Sequence, residues 1–556
     1  MVAIDRRLGF IFIGFLVALT IAVLRAVDLG VFRAGSLQAA AVSQQISNEP
    51  VPAMRGTITD TNGVDLALSE YASDIIVDPY LIKQPAVDAQ KLSPVLHEPM
   101  LSVLSTLTKP HTGYVQLAKQ VPSSTAQRVM ALNINGISTS PDVKRVYPRN
   151  SFAAQVLGAV NHTGAGYSGL ESLYNSDLIG RAGERRIVND ARGQTIAVDN
   201  VREMEPGKSL HLTLSAPLQS EVEQVLAGVG ATYSPQSATA IVMNPNTGAI
   251  LALANWPRIN ANDPYAGASA ATVDNAIQDH AVSFTYEPGS TFKAITVAGA
   301  LQDGLITPNT NFDIPPYLSV YGSIIRDAES HGYETLNTAG ILRVSSNIGA
   351  DLIGQKLGAD RFNYWVHRFG FGKPTGVDLP GEDSGYILAP AKYSGTSMYN
   401  LPFGQGESVT PLQMAAAYAA IANGGWLRSP HIVQSVGSKA VPVPKAHRIL
   451  SATTAAELRQ MLIGVYGDGG TASGAGIPGY QMAGKTGTAN VAVNGQYSKS
   501  EYVASFVGMV PANHPQLLGM VVVDQPQGSI YGGSVAAPAF QKIVGWAVPY
   551  YGINPR

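Results

Sequence analysis

Ser290-Thr291-Phe292-Lys293, Ser345-Ser346-Asn347 and Lys485-Thr486-Gly487 set a hydroxyl nucleophile, a lysine, a second serine with an amide, and a second lysine in one order along the chain. A serine hydroxyl is a poor nucleophile until a base lies within reach. Lysine serves as that base when burial or a neighbouring cation lowers its proton affinity. Ser290 and Lys293 are three residues apart, one helical turn, and share a face if the segment is helical. Phe292, Ala294 and Ile295 favour burial of the lysine. The chemistry within reach of these residues is acyl transfer through a serine ester.

Each motif also has an ordinary structural reading: a capping serine before a surface lysine, a polar turn after a helix, a glycine-kinked strand. About two chance matches to S-x-x-K are expected in a chain of this length. The joint order carries the functional reading. Glu287-Pro288-Gly289 leads into Ser290, and the apolar run that follows reads as helix. The nucleophile then sits at a helix N-terminus, where free N–H groups favour a developing negative charge. Ser345 is placed to relay a proton, and Asn347 to hold a substrate amide through its paired donor and acceptor. Lys485 offers charge to a carboxylate, while Thr486 and Thr488 offer hydroxyl donors. Gly487 removes a side chain where a ligand or another backbone must come close. An edge-strand N–H beside the N–H of Ser290 would form an oxyanion hole.

The elements that must position these groups are read from the rest of the sequence. With 556 residues, two or three domains are expected. Charged residues make up 14% of the chain, against about 25% in an average soluble protein. A net charge of −2 gives no basic footprint for nucleic acid. The absence of cysteine excludes a disulfide framework, a thiolate-bound metal and a thiol nucleophile.

Leu8 to Leu24 is free of charge, and Ala26, Val27 and Leu29 extend the run past Arg25, whose stem can snorkel. An uncleaved membrane anchor over 8–29, after a tail over 1–7, is expected. A cleaved signal with a site near Ala39-Ala40-Ala41 and a buried helix are the alternatives. Arg6 and Arg7 before the span balance Arg25 and Arg33 after it, so charge alone leaves the orientation open.

Residues 31–45 read as helix. A short strand from Arg55, a turn at Asn62-Gly63 and a second strand from Val64 follow. Residues 75–140 mix short strands with helical stretches such as 123–132 and carry no site chemistry. A boundary near 206 is expected, dividing 30–205 from 206–556. A strand over 210–214 then precedes a helix capped by Ser215, with an early Pro217. A hairpin joins 238–243 to 249–254, 285–425 is mostly helical (including a helix over 414–423), and strands return over 480–492, 502–510 and 516–523. The fold class is α+β: a five-stranded antiparallel sheet closed by the two ends of the domain and flanked by helices.

The chain resembles the penicillin-recognising serine transferases, whose S-x-x-K, S-x-N and K-T-G set it carries. Tyr286-Glu-Pro-Gly-Ser-Thr-Phe-Lys293, Gly404-Gln-Gly-Glu-Ser-Val-Thr-Pro-Leu-Gln413 and Ala483-Gly-Lys-Thr-Gly-Thr-Ala489 look like class B penicillin-binding proteins, the monofunctional peptidoglycan transpeptidases. Arg55-Gly56 with Asp60, Arg145-Tyr147-Pro148 and Gly166-Tyr-Ser-Gly-Leu-Glu171 resemble the pedestal motifs of that class, so 30–205 is expected to be the pedestal. The resemblance implies that Ser290 attacks the D-Ala-D-Ala carbonyl of a stem peptide and that Lys293 takes its proton. It implies that Ser345 and Lys485 serve the leaving D-Ala, that Asn347 binds the donor backbone, and that Thr486 and Thr488 bind its carboxylate. An amine of a neighbouring stem resolves the ester; β-lactams trap Ser290; no metal or organic cofactor is needed. Action outside the cytoplasm favours an inside N-terminus and a single-pass protein of the bacterial cell membrane.

Residues 404–413 and 531–540 look more like the division (FtsI-like) branch than the lateral-wall branch. This implies a membrane glycan polymerase of the FtsW type and other division proteins as partners. Thr61 stands where the family often has Arg, and Arg25 interrupts the span. A carboxypeptidase or β-lactamase and a non-catalytic β-lactam-binding scaffold are the competing readings.

Overall fold

The computed structural model describes residues 2–37, 46–190, 195–265, 276–493 and 495–555. Two compact units emerge. One comprises Met1–Met54, Tyr71–Lys144 and Gly180–Gly207; the other comprises Arg55–Glu70, Arg145–Ile179 and Lys208–Arg556. The units therefore do not follow the expected linear division at 206, because two inserts from the earlier half pack with the later one. The cause is a non-local pairing: Ile58 and Thr59 run parallel to Leu210 and His211.

The first unit begins with a helix over Val2–Val27 that widens into a π-turn at Asp28–Phe32. Leu8–Phe32 is apolar and long enough to cross a membrane, and none of it is buried. Arg25 is not an isolated charge, since its Nη1 lies 2.9 Å from Asp28 Oδ2, which also sits 3.3 Å from Arg33 Nε. The helix expected over 31–45 is described as far as residue 37; 38–45 lie outside the described residues. Ile46–Val51, Gly183–Asn189 and Thr195–Arg202 form a three-stranded antiparallel sheet. A separate small core gathers Ile75, Val77, Leu92, Val103 and Val129. The stretch 123–132 is helical over Ser123–Ala131.

The second unit holds the five-stranded sheet. Its strands are β1 (Ser237–Met243), β2 (Ile250–Trp256), β3 (Ala483–Val493), β4 (Gln496–Val510) and β5 (Leu517–Asp524), all antiparallel in the order β2-β1-β5-β4-β3. β1 pairs with β5, so the two ends of the domain close the sheet as expected. Side chains alternate between faces. Ile241 and Met243 join a core with helices α2 (Lys293–Gln302), α3 (Asn347–Arg368) and α4 (Pro411–Ala422). Ala240 and Val242 join a second core with α1 (Ala216–Tyr233) and α5 (Gly532–Tyr550).

Ser215 takes the cap position of α1 but does not cap it with its side chain. Asp60 does so from the earlier half of the sequence: its Oδ2 accepts the Ala216 N–H at 3.0 Å, and its Oδ1 accepts the Asn62 and Val64 N–H groups at 2.8 Å each. One buried carboxylate thus shapes a turn and satisfies an orphan helix donor. The helix expected over 414–423 starts earlier, at Pro411, with a capping box between Thr410 and Gln413.

α5 has no counterpart in the sequence expectation, because Gly532-Gly533, Pro538 and Pro549 read as helix breakers. The glycines have a packing reason. A Cβ on Gly532 would lie 2.3 Å from the carbonyl oxygens of both Gly487 and Ser505. The start of α5 is therefore pressed against β3 and β4, and Phe540 packs on Phe506 at 4.9 Å between ring centres.

Candidate active site

Ser290 lies in a 3₁₀ turn, Gly289–Phe292, that opens directly into α2. Gly289 has φ +53° and its N–H donates to the Gly404 carbonyl at 3.0 Å. The turn is laid against β3: a Cβ on Gly487 would meet Ser505 Oγ at 2.3 Å, Thr291 Cγ2 at 3.0 Å and Pro288 O at 3.1 Å. Gly487 thus permits the close approach that brings the S-x-x-K turn and the K-T-G strand together.

Lys293, at the start of α2, is fully buried. Its Nζ donates to Ser345 O at 2.5 Å, Asn347 Oδ1 at 2.7 Å and Ser345 Oγ at 3.3 Å. Lys485 is equally buried, and its Nζ reaches the same Ser345 Oγ at 2.9 Å. One serine hydroxyl therefore bridges two lysines carried by a helix and a strand. Among the described residues no hydrogen bond reaches Ser290 Oγ, which leaves it open to a ligand.

The Ser345 backbone is left-handed, φ +64° and ψ +42°, between the helix Thr338–Val344 and α3. A non-glycine residue rarely adopts that conformation, and it recurs at functional sites. Here it aims Oγ at both lysines while Ser346 turns to cap α3 by accepting the Gly349 N–H at 2.9 Å.

Electrostatics follow from burial. Desolvation pushes the Lys293 ammonium down to about 7, against the opposing pull of Asp327 and Asp351. Lys485 is held well below its usual range, first by burial and then by the charge of Lys293. Two buried amines that share a hydroxyl cannot both carry a proton cheaply, so a neutral amine is available near neutral pH.

Asn347, Thr486 and Thr488 are present at the site but already partnered. Asn347 Oδ1 accepts from Lys293 and its Nδ2 donates to Arg326 O at 2.9 Å. Thr486 Oγ1 pairs with Thr471 Oγ1 at 2.7 Å. Thr488 Oγ1 accepts the Gly532 N–H at 3.1 Å, which leaves its own proton free to donate. Beside the Ser290 turn, a cavity of about 490 Å³ is lined by Tyr286, Glu287, Glu407, Asn490, Val491 and Asp524. Burial raises both the Glu287 and Glu407 carboxyls, and the nearby Glu287 pushes Glu407 further.

Two acidic residues at the site were missed in the sequence reading. Asp327 Oδ1 accepts the N–H groups of Asn347 and Ile348 at 2.5 and 3.0 Å. Asp351, one turn along α3 from Asn347, is fully buried with neither carboxyl oxygen hydrogen-bonded. Neither stands in a pattern that marks a site.

The residues matched to pedestal motifs converge on a second buried cluster. Arg55 Nε donates to Glu171 Oε2 at 2.5 Å, and Arg145 Nε to Glu171 Oε1 at 2.7 Å. Arg55 also reaches the Glu171 and Gly164 carbonyls, and Arg145 reaches Gly56 O at 2.8 Å. Tyr147 OH donates to Glu171 at 3.3 Å. One carboxylate thus pairs with two guanidinium groups away from water, and backbone carbonyls take up further guanidinium N–H groups. Glu171→Ala is expected to lower stability by about 3 kcal/mol, since it leaves two buried cations without a counter-charge. Urea unfolding followed by tryptophan fluorescence measures it; a loss under about 0.5 kcal/mol would place the cluster outside the folding core.

Fold and site together define a serine acyltransferase: a buried lysine–serine–lysine chain behind an open hydroxyl, set between a helix start and the edge strand of an antiparallel sheet. Residues 238–545 match the penicillin binding protein transpeptidase domain and residues 50–212 the penicillin-binding protein dimerisation domain. The chain belongs to the penicillin-binding protein transpeptidase family. It is 33% identical to Stage V sporulation protein D of Bacillus subtilis, over 92% of this chain and 80% of that one. Against the peptidoglycan D,D-transpeptidase FtsI of Buchnera aphidicola the identity is 30%, over 97% and 94%. The crystal structure of penicillin binding protein 3 from Mycobacterium tuberculosis complexed with aztreonam is similar at a TM-score of 0.70 and 28% identity, covering 91% of this chain and 98% of that one.

Proposed function

We propose that Ser290 is the acylated nucleophile of this chain and that the enzyme works in septal wall synthesis. The chain is a serine-type peptidoglycan D,D-transpeptidase that takes peptidoglycan as substrate and binds β-lactams. The observation that carries the assignment to Ser290 is the hydrogen-bonded chain Lys293–Ser345–Lys485 behind that open hydroxyl.

In the acylation step, Ser290 Oγ attacks the penultimate D-Ala carbonyl and its proton passes to Lys293. The N–H of Ser290 and an N–H of β3 stabilise the oxyanion. The intermediate collapses by breaking the peptide bond, and the departing D-Ala amine takes a proton through Ser345 from the lysine pair. Thr488, with Lys485 and Thr486, holds the terminal carboxylate, and the cavity beside Glu287 receives the rest of the donor stem. An amine of a second stem then attacks the ester, forms the cross-link and returns the proton that restores Ser290. A β-lactam follows the first step only, since its ring-opened amine stays tethered and blocks the acceptor.

The Leu8–Phe32 helix anchors the chain once in the cell membrane, with the N-terminus inside and the remainder outside. Domain boundaries at 8–29, 30–205 and 206–556 describe the anchor, the pedestal and the transpeptidase in linear terms. The septal role rests on the likeness of 404–413 and 531–540 to the division branch, and it brings an FtsW-type glycan polymerase as partner. Depletion in the native cell tests it. Long cells without septa are the expected result; swollen or rounded cells that still divide would move the enzyme to lateral-wall synthesis.

A further inference from the structure

The segment Arg326-Asp327 grips Asn347 on two sides. Arg326 O accepts the Asn347 side-chain Nδ2 at 2.9 Å, and Asp327 Oδ1 accepts the Asn347 backbone N–H at 2.5 Å. The remaining polar atom of that side chain, Oδ1, is held by Lys293 at 2.7 Å. Asp327 is thus one residue removed from the lysine, and its side chain is only 9% exposed. It does not touch Ser290 and takes no part in the proton path described above.

We propose that Asp327 is a positioning residue for Lys293: its carboxylate fixes Asn347 at the start of α3, and this holds the Lys293 amine on Asn347 and Ser345 rather than on Ser290 in the empty enzyme. A donor stem that engages Asn347 competes for that hold and frees the amine to turn to Ser290. The idea rests on Lys293 being the acceptor of the Ser290 proton.

The charges that face Lys293 come from three elements. Asp327 approaches from the segment before Thr338, Asp351 from α3, and Lys485 from β3. Asp327 itself faces His331 Nε2 at 3.2 Å, and His331 Nδ1 lies 3.5 Å from Glu334. A carboxylate near a buried ammonium favours the charged form. A neutral residue at 327 therefore lets Lys293 give up its proton at lower pH, while loss of the side-chain acceptor also frees the start of α3.

Two substitutions separate charge from geometry. Asp327→Asn keeps an oxygen that can cap the Asn347 and Ile348 N–H groups; Asp327→Ala keeps neither charge nor cap. The rate constant for acylation by penicillin is measured against pH on the full chain in detergent, with the melting temperature as a check on folding. For D327N the acid limb should move down by about half a unit or more, with a maximal rate within about threefold of wild type. D327A should show the same shift and lose about tenfold in maximal rate, because Asn347 is no longer fixed where the incoming donor must engage it to release Lys293. A D327N limb within about 0.2 unit of wild type would overturn the proposal, as would D327A acylating at the wild-type maximum. Failure of the underlying assignment reads differently, as wild-type protein with no adduct on Ser290, and it would overturn both.

Discussion

Ser290→Ala abolishes covalent labelling by penicillin. The intact mass of the variant stays at that of the unmodified chain under conditions that label the wild type fully. The expected loss is complete within detection, at least about 10³-fold in rate, because no other group at the site can form the ester. The nearby Ser345 hydroxyl does not compete, because its Oγ is already shared between Lys485 at 2.9 Å and Lys293 at 3.3 Å. The fold should survive, since Ser290 makes no side-chain hydrogen bond among the described residues and loses only one oxygen. An unchanged melting temperature together with loss of labelling is the expected pair of results. A Ser290→Ala chain that still formed an adduct would assign the nucleophile to another residue.

Lys293→Met removes the proposed base while retaining a long unbranched side chain. The acylation rate should fall by about 10³-fold, within the range that general-base groups supply. Noncovalent binding should change far less, because Thr488 still has a hydroxyl proton to offer the substrate carboxylate. In the wild type the same lysine sets the pH dependence. Burial brings it down to about 7, so the neutral base form accumulates as pH rises through that value. Acylation should therefore be slow at low pH and climb through about 7, and the limb should vanish in Lys293→Met. Stopped-flow acylation across pH measures both effects. A Lys293→Met enzyme with the wild-type rate and limb would remove Lys293 from the proton path.

What could be read from the sequence was what local pattern controls. The β1–β2 hairpin, the return of three strands at the end and the helix after Ser290 follow from alternation, turn residues and apolar runs. The S-x-x-K turn and the K-T-G strand met in space because Gly487 and Gly289 let a helical turn lie on a strand, a role the K-T-G glycine announced. What stayed hidden depends on distant partners. Asp60 caps a helix 156 residues later, and Ser215, the residue in the cap position, does not. The parallel pairing of 58–59 with 210–211 joins residues from either side of 206 in one compact unit. α5 was concealed because its glycines answer to neighbouring carbonyls rather than to helix propensity. Arg55, Arg145 and Glu171 were recognisable only as family positions; that they form one buried ionic cluster needs coordinates. Asp327 and Asp351 carry no spacing signal at all, and they matter only because Lys293 lies among them.

The assignment of catalysis to Ser290 is tested most directly by intact mass spectrometry of the full chain incubated with penicillin, followed by peptide mapping and a time course. The predicted result is a single penicilloyl adduct on the peptide that carries Ser290, persisting long after free drug is removed. An adduct on another residue, or none on protein shown to be folded, would contradict the account; rapid release of hydrolysed penicillin would make the chain a hydrolase instead.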